Sequence, residues 1–145
     1  MSATFLSETD QIRIVEAIQQ AELNTVGEIK IHLEPTCSNF IPLARAKEIF
    51  LQLNLKNTVK RSAVLIYIAY EDHQLAILGD AGIHQHVGDS FWQQEKDTLI
   101  SHFKAGEPAG GLVRVVHDVG QKLTAFFPKS TNNPNEISDD LSFGE

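Results

Sequence analysis

Acidic side chains in the segment 79–89 are the residues of this sequence best suited to chemistry. Asp80 follows a glycine, and Asp89 comes further along, with two histidines between them. Hard cations such as calcium prefer several oxygen ligands, some of them backbone carbonyls of a tight loop. The segment therefore predicts a divalent-cation site, for calcium or magnesium, with Asp80 and Asp89 as ligands. The alternative for the same residues is an Asx turn at Asp80 and a helix N-cap at Asp89.

Three further carboxylates are candidates for such a site. Glu28 begins an alternating strand segment and would lie at the same sheet edge as Asp80, if a helical crossover makes the first two strands parallel. Glu71 and Asp72 form an adjacent pair in a hairpin turn, which would lie at the opposite edge, and a solvated pair is the alternative there. Neighbouring carboxylates repel one another without a cation, so the loops should become ordered when metal binds.

Phosphatase chemistry has less support from the residues. It needs a nucleophile or two bridged metals, together with positive groups for the phosphate. The sequence has neither a P-loop nor the cysteine–arginine loop of thiol phosphatases, and Cys37 has no obvious base partner. Asp80 is the one attractive carboxylate, and Arg61 would lie at the same edge, where it could neutralise phosphate. The alternative for Arg61 is a solvated charge at the start of a strand.

Bulk composition limits the class of protein. The 145 residues suffice for one domain with a real core, and a hydrophobic content of 42% argues against disorder. A net charge of -7 argues against nucleic-acid partners and is compatible with cations. The single cysteine excludes an internal disulfide and a thiolate zinc site.

Nothing in the sequence resembles a secretory signal or a membrane span. The first ten residues are polar and acidic, and the longest apolar run, 63–70, has the length of a buried strand. We therefore expect a monomeric cytoplasmic protein without a membrane span, whose partners are metal ions and an unidentified protein.

Hydrophobic periodicity predicts the elements that position these residues. The predicted domain spans 1–128, and the polar, acidic segment 129–145 should be a mobile tail. Helices are expected over 8–23, 42–54, 90–104 and about 109–126, strands over 28–34, 61–70 and 74–78, and a glycine-rich loop over 79–88.

Two strand patterns carry most of the fold prediction. Val64 to Ile68 is apolar on both faces, as expected for a strand covered by helices on both sides. The alternating strand 28–34 has one apolar face and one face with charges of both signs, which we expect to be solvated. The order of elements predicts an α/β fold, a three-layer αβα sandwich around a small mixed sheet in which three strands are placed.

Several motifs resemble the TPM-domain family, including its free-standing bacterial members. The resemblance covers about residues 5–128, and its most specific pieces are Val26-Gly27-Glu28-Ile29, Val64 to Ala69, Gly79-Asp80-Ala81-Gly82-Ile83, and Phe103-Lys104-Ala105-Gly106 with Gly111-Leu112. It implies an αβα sandwich around four strands, calcium binding in some members, and an acid phosphatase activity proposed for plant members. Three readings follow, namely a metal-responsive binding module, a metal-dependent phosphomonoesterase, and a protein-interaction domain in membrane-protein maintenance.

Overall fold

The computed structural model of the protein describes residues 5–129 and 141–144. Within these residues the chain forms four helices, four strands and one 3-10 turn. The helices are α1 (Glu8–Glu22), α2 (Pro42–Gln52), α3 (Ala81–Lys104) and α4 (Pro108–Phe126), and the strands are β1 (Glu28–Glu34), β2 (Ala63–Ala69), β3 (Gln74–Gly79) and β4 (Ser142–Phe143).

The strands form one mixed sheet in the order β3-β2-β1-β4. Strand β1 runs parallel to β2, with Glu28 opposite Ala63, and β3 returns antiparallel to β2. This is the topology predicted from the crossover through α2 and from the short hairpin link. The short strand β4 lies parallel to β1 at the opposite edge from β3.

Helices cover both faces of the sheet, which confirms the predicted three-layer sandwich. Helices α1, α3 and α4 pack on the face that carries Ile29, Ile31 and Leu33 of β1. Helix α2 packs on the other face, over β2 and β3, where Ala46, Ile49 and Phe50 are buried. Every residue of β2 is buried, as its continuous apolar pattern predicts.

The prediction of a glycine-rich loop over 79–88 is wrong, because Ala81 to Val87 is helical. Asp80 caps this helix, and a kink at Gly88 (φ 74°) joins it to the predicted helix that follows. A Cβ on Gly82 would lie 2.0 Å from the carbonyl oxygen of Lys60. The glycine therefore allows the first turn of α3 to pack against the chain that leads into β2, a contact that sequence composition does not reveal.

The prediction that the polar face of β1 is solvated is also wrong. Glu28, Lys30, His32 and Glu34 are all buried, together with the apolar residues between them. Helical periodicity also predicts that Leu43 lies on the inner side of α2 with Ala46 and Phe50, but Leu43 is 47% exposed. Both errors have the same cause, since periodicity shows that two faces differ but does not show which neighbours cover them.

Part of the predicted tail belongs to the sheet. Ser142 and Phe143 of β4 lie opposite His32 and Leu33, and Lys129 donates a hydrogen bond to the carbonyl oxygen of Asn24. Residues 130–140 and 145 lie outside the described residues, so mobility there stays a prediction. No helix within 5–129 and 141–144 is long and apolar enough to cross a membrane.

Candidate functional site

The carboxylate of Asp80 is fully engaged by the protein itself. Arg61 donates from Nε to Oδ2 at 2.6 Å and from Nη2 to Oδ1 at 2.7 Å, and the amide of Ala81 donates to Oδ1 at 2.8 Å. Asp80 is 6% exposed and lies at the amino terminus of α3, where a negative charge is favoured. Asp80 thus has the N-cap role that was predicted for Asp89, and it pairs with Arg61, which was predicted at the same end of the sheet.

Glu28 lies at the same end of the sheet as Asp80, as predicted, but strand β2 lies between the two residues. Both residues flank Ala63, since Glu28 is opposite it in register and the Asp80 amide donates to its carbonyl oxygen. Two strand spacings, about 10 Å, therefore lie between their backbones. Asp89 follows the kink in α3, roughly 13 Å of helix beyond Asp80, and its exposed side chain lies 3.6 Å from Nε2 of His84.

Glu71 and Asp72 lie at the other end of the sheet. The amide of Glu71 donates to the carbonyl oxygen of Pro35 at 2.8 Å, and Oδ2 of Asp72 accepts from the amide of Cys37 at 2.7 Å. The turn is therefore fastened to the loop that follows β1. Among residues 5–129 and 141–144, no three acidic, histidine or cysteine side chains are grouped so as to hold a metal ion. Cation binding at these five residues stays a prediction.

A buried carboxylate that the sequence analysis missed lies at the carboxyl end of β1. Arg45 of α2 donates two hydrogen bonds to Glu34, at 2.9 and 3.0 Å, and the hydroxyl of Tyr67 donates a third at 2.6 Å. His32 lies between Glu34 and the hydroxyl of Ser142, at 3.4 and 2.8 Å. The available signal was Tyr67 within an apolar strand, because a buried tyrosine hydroxyl needs a partner.

The ionisation of this cluster follows from its surroundings. Burial by itself raises the pKa of Glu34, but hydrogen bonds from Arg45 and Tyr67 outweigh it and hold that pKa below its ordinary value. Burial lowers the pKa of His32 in spite of its contact with Glu34, and burial together with the Glu34 carboxylate raises that of Tyr67. The cluster is thus an ionic clamp between α2 and the sheet, with every Glu34 oxygen occupied.

A groove along the outer edge of β3 is a feature that the sequence did not predict. It has a volume of about 570 Å³ and runs between the start of α2 and the kinked part of α3. Within the described residues no strand pairs with this side of β3. The groove is lined by Ile41, Pro42, Leu43 and Lys47, by residues 75–79 of β3, and by His84, Asp89, Trp92, Gln93 and Lys96.

Apolar side chains form the two walls of this groove. On the α3 side, Trp92 lies across the end of β3, where Gly79 leaves space for its ring, since a Cβ there would be 2.2 Å away. The indole nitrogen of Trp92 donates to Nδ1 of His84 at 3.0 Å, which orients the ring. On the α2 side, Ile41 and Leu43 are 59% and 47% exposed. The groove therefore has exposed apolar surface on its α2 side, whereas Trp92 on its α3 side is only 8% exposed.

Comparisons with known proteins identify the family. The TPM domain matches residues 1–122. The BA42 protein of the psychrophilic bacterium Bizionia argentinensis is 37% identical and has a TM-score of 0.88, with 97% of this chain and 96% of that chain covered. No curated protein matches the sequence.

Two more distant structures share the fold. The N-terminal domain of a Corynebacterium glutamicum protein is 14% identical, with a TM-score of 0.67 and coverage of 92% of this chain and 84% of that chain. A P. gingivalis N-terminal domain is 18% identical, with a TM-score of 0.70 and coverage of 85% and 79%. The chain therefore belongs to the TPM domain family.

Proposed function

We propose that this protein is a non-catalytic binding module that takes up an extended segment of another protein as an added strand along β3. The observation that carries the proposal is the open edge of β3 between two apolar walls. An extended peptide gains main-chain hydrogen bonds at such an edge, and its alternate side chains contact the two sides.

Within residues 5–129 and 141–144, every second residue of β3 has backbone groups that no strand pairs with. Gly79 lies opposite Val64, and the next amide, that of Asp80, donates to the carbonyl oxygen of Ala63 at 2.9 Å. In an antiparallel ladder this pattern marks Gly79 as a non-hydrogen-bonded position, and such positions recur at every second residue. Leu75, Ile77 and Gly79 therefore direct their backbone groups away from β2 and into the groove.

The two edges of the sheet differ in whether another strand covers them. Strand β4 covers part of the β1 edge, through Ser142 and Phe143. Strand β3 pairs with β2 along all six residues, and it contains no charged residue and no proline. Natural proteins usually protect exposed edge strands with charges, prolines, bulges or covering segments. A regular, uncharged edge strand in a groove is the arrangement expected where strand addition is a function.

Metal binding and phosphatase activity, which the resemblance implies, have less support from the contacts. Both oxygens of Asp80 are engaged by Arg61 and the Ala81 amide. A cation at Asp80 would have to displace Arg61, whereas a phosphate at Arg61 would have to displace the Asp80 carboxylate. Phosphatase activity would require turnover of an aryl phosphate that Asp80→Asn abolishes without unfolding the protein.

The test of the proposal uses three synthetic peptides of about seven residues, the length of a typical strand. All three alternate aliphatic residues with a second type, which is glutamate, threonine or lysine. We expect at least one peptide to slow hydrogen exchange at the amides of Leu75, Ile77 and Gly79 by about tenfold. The amides of Ala76 and Leu78, which face β2, are the internal control. The proposal fails if no peptide protects the three outward amides.

A pair of matched variants distinguishes peptide binding in the groove from nonspecific binding to exposed apolar surface. Leu43→Ser removes apolar surface from the α2 wall, and we expect about fivefold weaker peptide binding from the loss of roughly 1 kcal/mol. Ile12→Ser makes the same kind of change at a helix position that is 60% exposed and does not line the groove. Equal effects of the two substitutions would contradict a site along β3.

A further inference from the structure

We infer that the segment bound along β3 belongs to a separate protein and is acidic, with carboxylates interspersed among aliphatic or aromatic residues. This inference rests on the proposed function and adds the chemical class of the partner. It follows from the charges that surround the groove, taken together with the apolar walls described above.

Three lysines line the β3 edge. Lys47 of α2 and Lys96 of α3 line the groove itself, on its two sides. Lys56 lines an adjoining cavity of about 270 Å³ against Leu78 and Gly79, and Lys47 contributes to that cavity as well. The whole chain carries 12 lysines and arginines against 19 acidic residues, so a cluster of lysines at one strand edge opposes the overall charge.

These lysines have no ion-pair partner within residues 5–129 and 141–144. Three of the four arginines differ in this respect, since Arg45, Arg61 and Arg114 are paired with Glu34, Asp80 and Asp118. Asp80, which lines the cavity beside Lys56, is already neutralised by its arginine. The ammonium groups along β3 are therefore available to carboxylates of an incoming strand.

The other titratable groups that line the groove change its positive charge little. Asp89 is the one carboxylate that lines the groove, and its exposed side chain lies 3.6 Å from His84. An added strand presents successive side chains to opposite faces of the sheet. Carboxylates on one face of the added strand would therefore meet Lys47 on the α2 side, and carboxylates on the other face would meet Lys96 on the α3 side. Apolar residues of the strand would meet Leu43 or Trp92.

The experiment compares affinities of the glutamate, threonine and lysine peptides by fluorescence anisotropy at low salt, with amide exchange on β3 as the readout of location. Exposed ion pairs contribute modestly, about two- to fivefold each, and are screened by salt. We expect the glutamate peptide to bind at least fivefold more tightly than the threonine peptide. The glutamates of the peptide all lie on one face of the added strand, so either Lys96→Glu or Lys47→Glu should remove most of that preference, and an unchanged preference in both variants would refute the role of these lysines. Lys122→Glu, the same change at an exposed position of α4 that lines neither cavity, should leave it intact.

The outcomes separate this inference from the function on which it rests. If the glutamate and threonine peptides protect the outward β3 amides equally, or the lysine peptide binds best, strand addition stands and the acidic partner is refuted. If no peptide protects those amides, both proposals fail. Concentration-dependent self-association that Lys96→Glu abolishes, measured by sedimentation velocity without peptide, would identify a second copy as the occupant and refute a separate partner.

Discussion

Glu95 provides the sharpest test of the electrostatics in this fold. It lies on α3, is 5% exposed, and has an oxygen, Oε1, without a hydrogen-bond partner in the described residues. Burial, followed by the charge of Asp118 and a hydrogen bond with it, raises the pKa of Glu95 to about 8, although Arg114 opposes the shift. We therefore expect the folded protein to carry a proton on Glu95 near neutral pH.

The sign of the pH dependence follows from this raised pKa. The unfolded chain releases the Glu95 proton near its ordinary pKa of 4.5, whereas the folded protein retains it up to about pH 8. Between these values the native state binds more protons, so the free energy of unfolding decreases as pH rises, by at most about 1.4 kcal/mol per unit. The full window sets an upper limit of about 5 kcal/mol, and local relaxation and water entry reduce the expected loss to roughly 2 kcal/mol.

Substitution Glu95→Gln should remove this loss, because the amide has the same shape and no charge to bury. We expect the variant and the wild type to be similarly stable near pH 4.5, with the variant more stable by roughly 2 kcal/mol at pH 8. Urea unfolding followed by the fluorescence of Trp92, the single tryptophan, measures both. The difference between the two proteins cancels the contribution of other groups, such as His32.

The control is Asp97→Asn, an exposed carboxylate on the same helix that accepts a hydrogen bond from Gln93. Its side chain lies in water, so its stability profile should run parallel to that of the wild type. A constant difference between Glu95→Gln and the wild type from pH 4.5 to 8 would refute the reasoning. It would mean that Glu95 is ionised in the folded protein and compensated by Arg114 or by water.

Three further predictions test the clamp, the packing of α3 and the metal hypothesis. Tyr67→Phe removes a hydroxyl that donates to a buried carboxylate, and should lower the free energy of unfolding by about 1–3 kcal/mol in urea titrations. Gly82→Ala places a Cβ against the backbone of Lys60 and should lower the melting temperature strongly, whereas Gly110→Ala, where the nearest atom would be 3.8 Å away, should be neutral or stabilising. Calcium at millimolar concentration should raise the melting temperature relative to EDTA and shift the amides of segment 79–89 or of Asp72; an unchanged melt and spectrum would remove the metal hypothesis.

The helices and central strands could be predicted from the sequence because the hydrophobic patterns that encode them are local. The predicted stripe of α4 runs from Leu112 to Phe126 with the helical period, and it is buried as far as Leu123, whereas Phe126 at the end of the helix is 41% exposed. The continuous apolar run of β2 and its short link to β3 similarly predicted a strand buried on both faces and an antiparallel hairpin. Hydrophobic burial and chain geometry alone decide such features, and neighbouring residues suffice to encode them.

The polar contacts could not be predicted from local sequence patterns, because each contact depends on residues far apart in the chain. Whether Glu34 is solvated or buried depends on Arg45 and Tyr67, which another helix and another strand bring to it. The helical start of α3 depends on Asp80 meeting Arg61, a pairing for which the sequence offered only proximity at one edge.

The carboxylates of the predicted cation site illustrate the same limit. The sequence determined the family, the three-layer architecture and which end of the sheet each carboxylate occupies. Only the tertiary structure decided which of them already has a partner and which strand edge stays open. Secondary structure follows from local periodicity, whereas a buried charge is stable only where packing supplies its counter-charge, and an edge is open only where no other segment covers it.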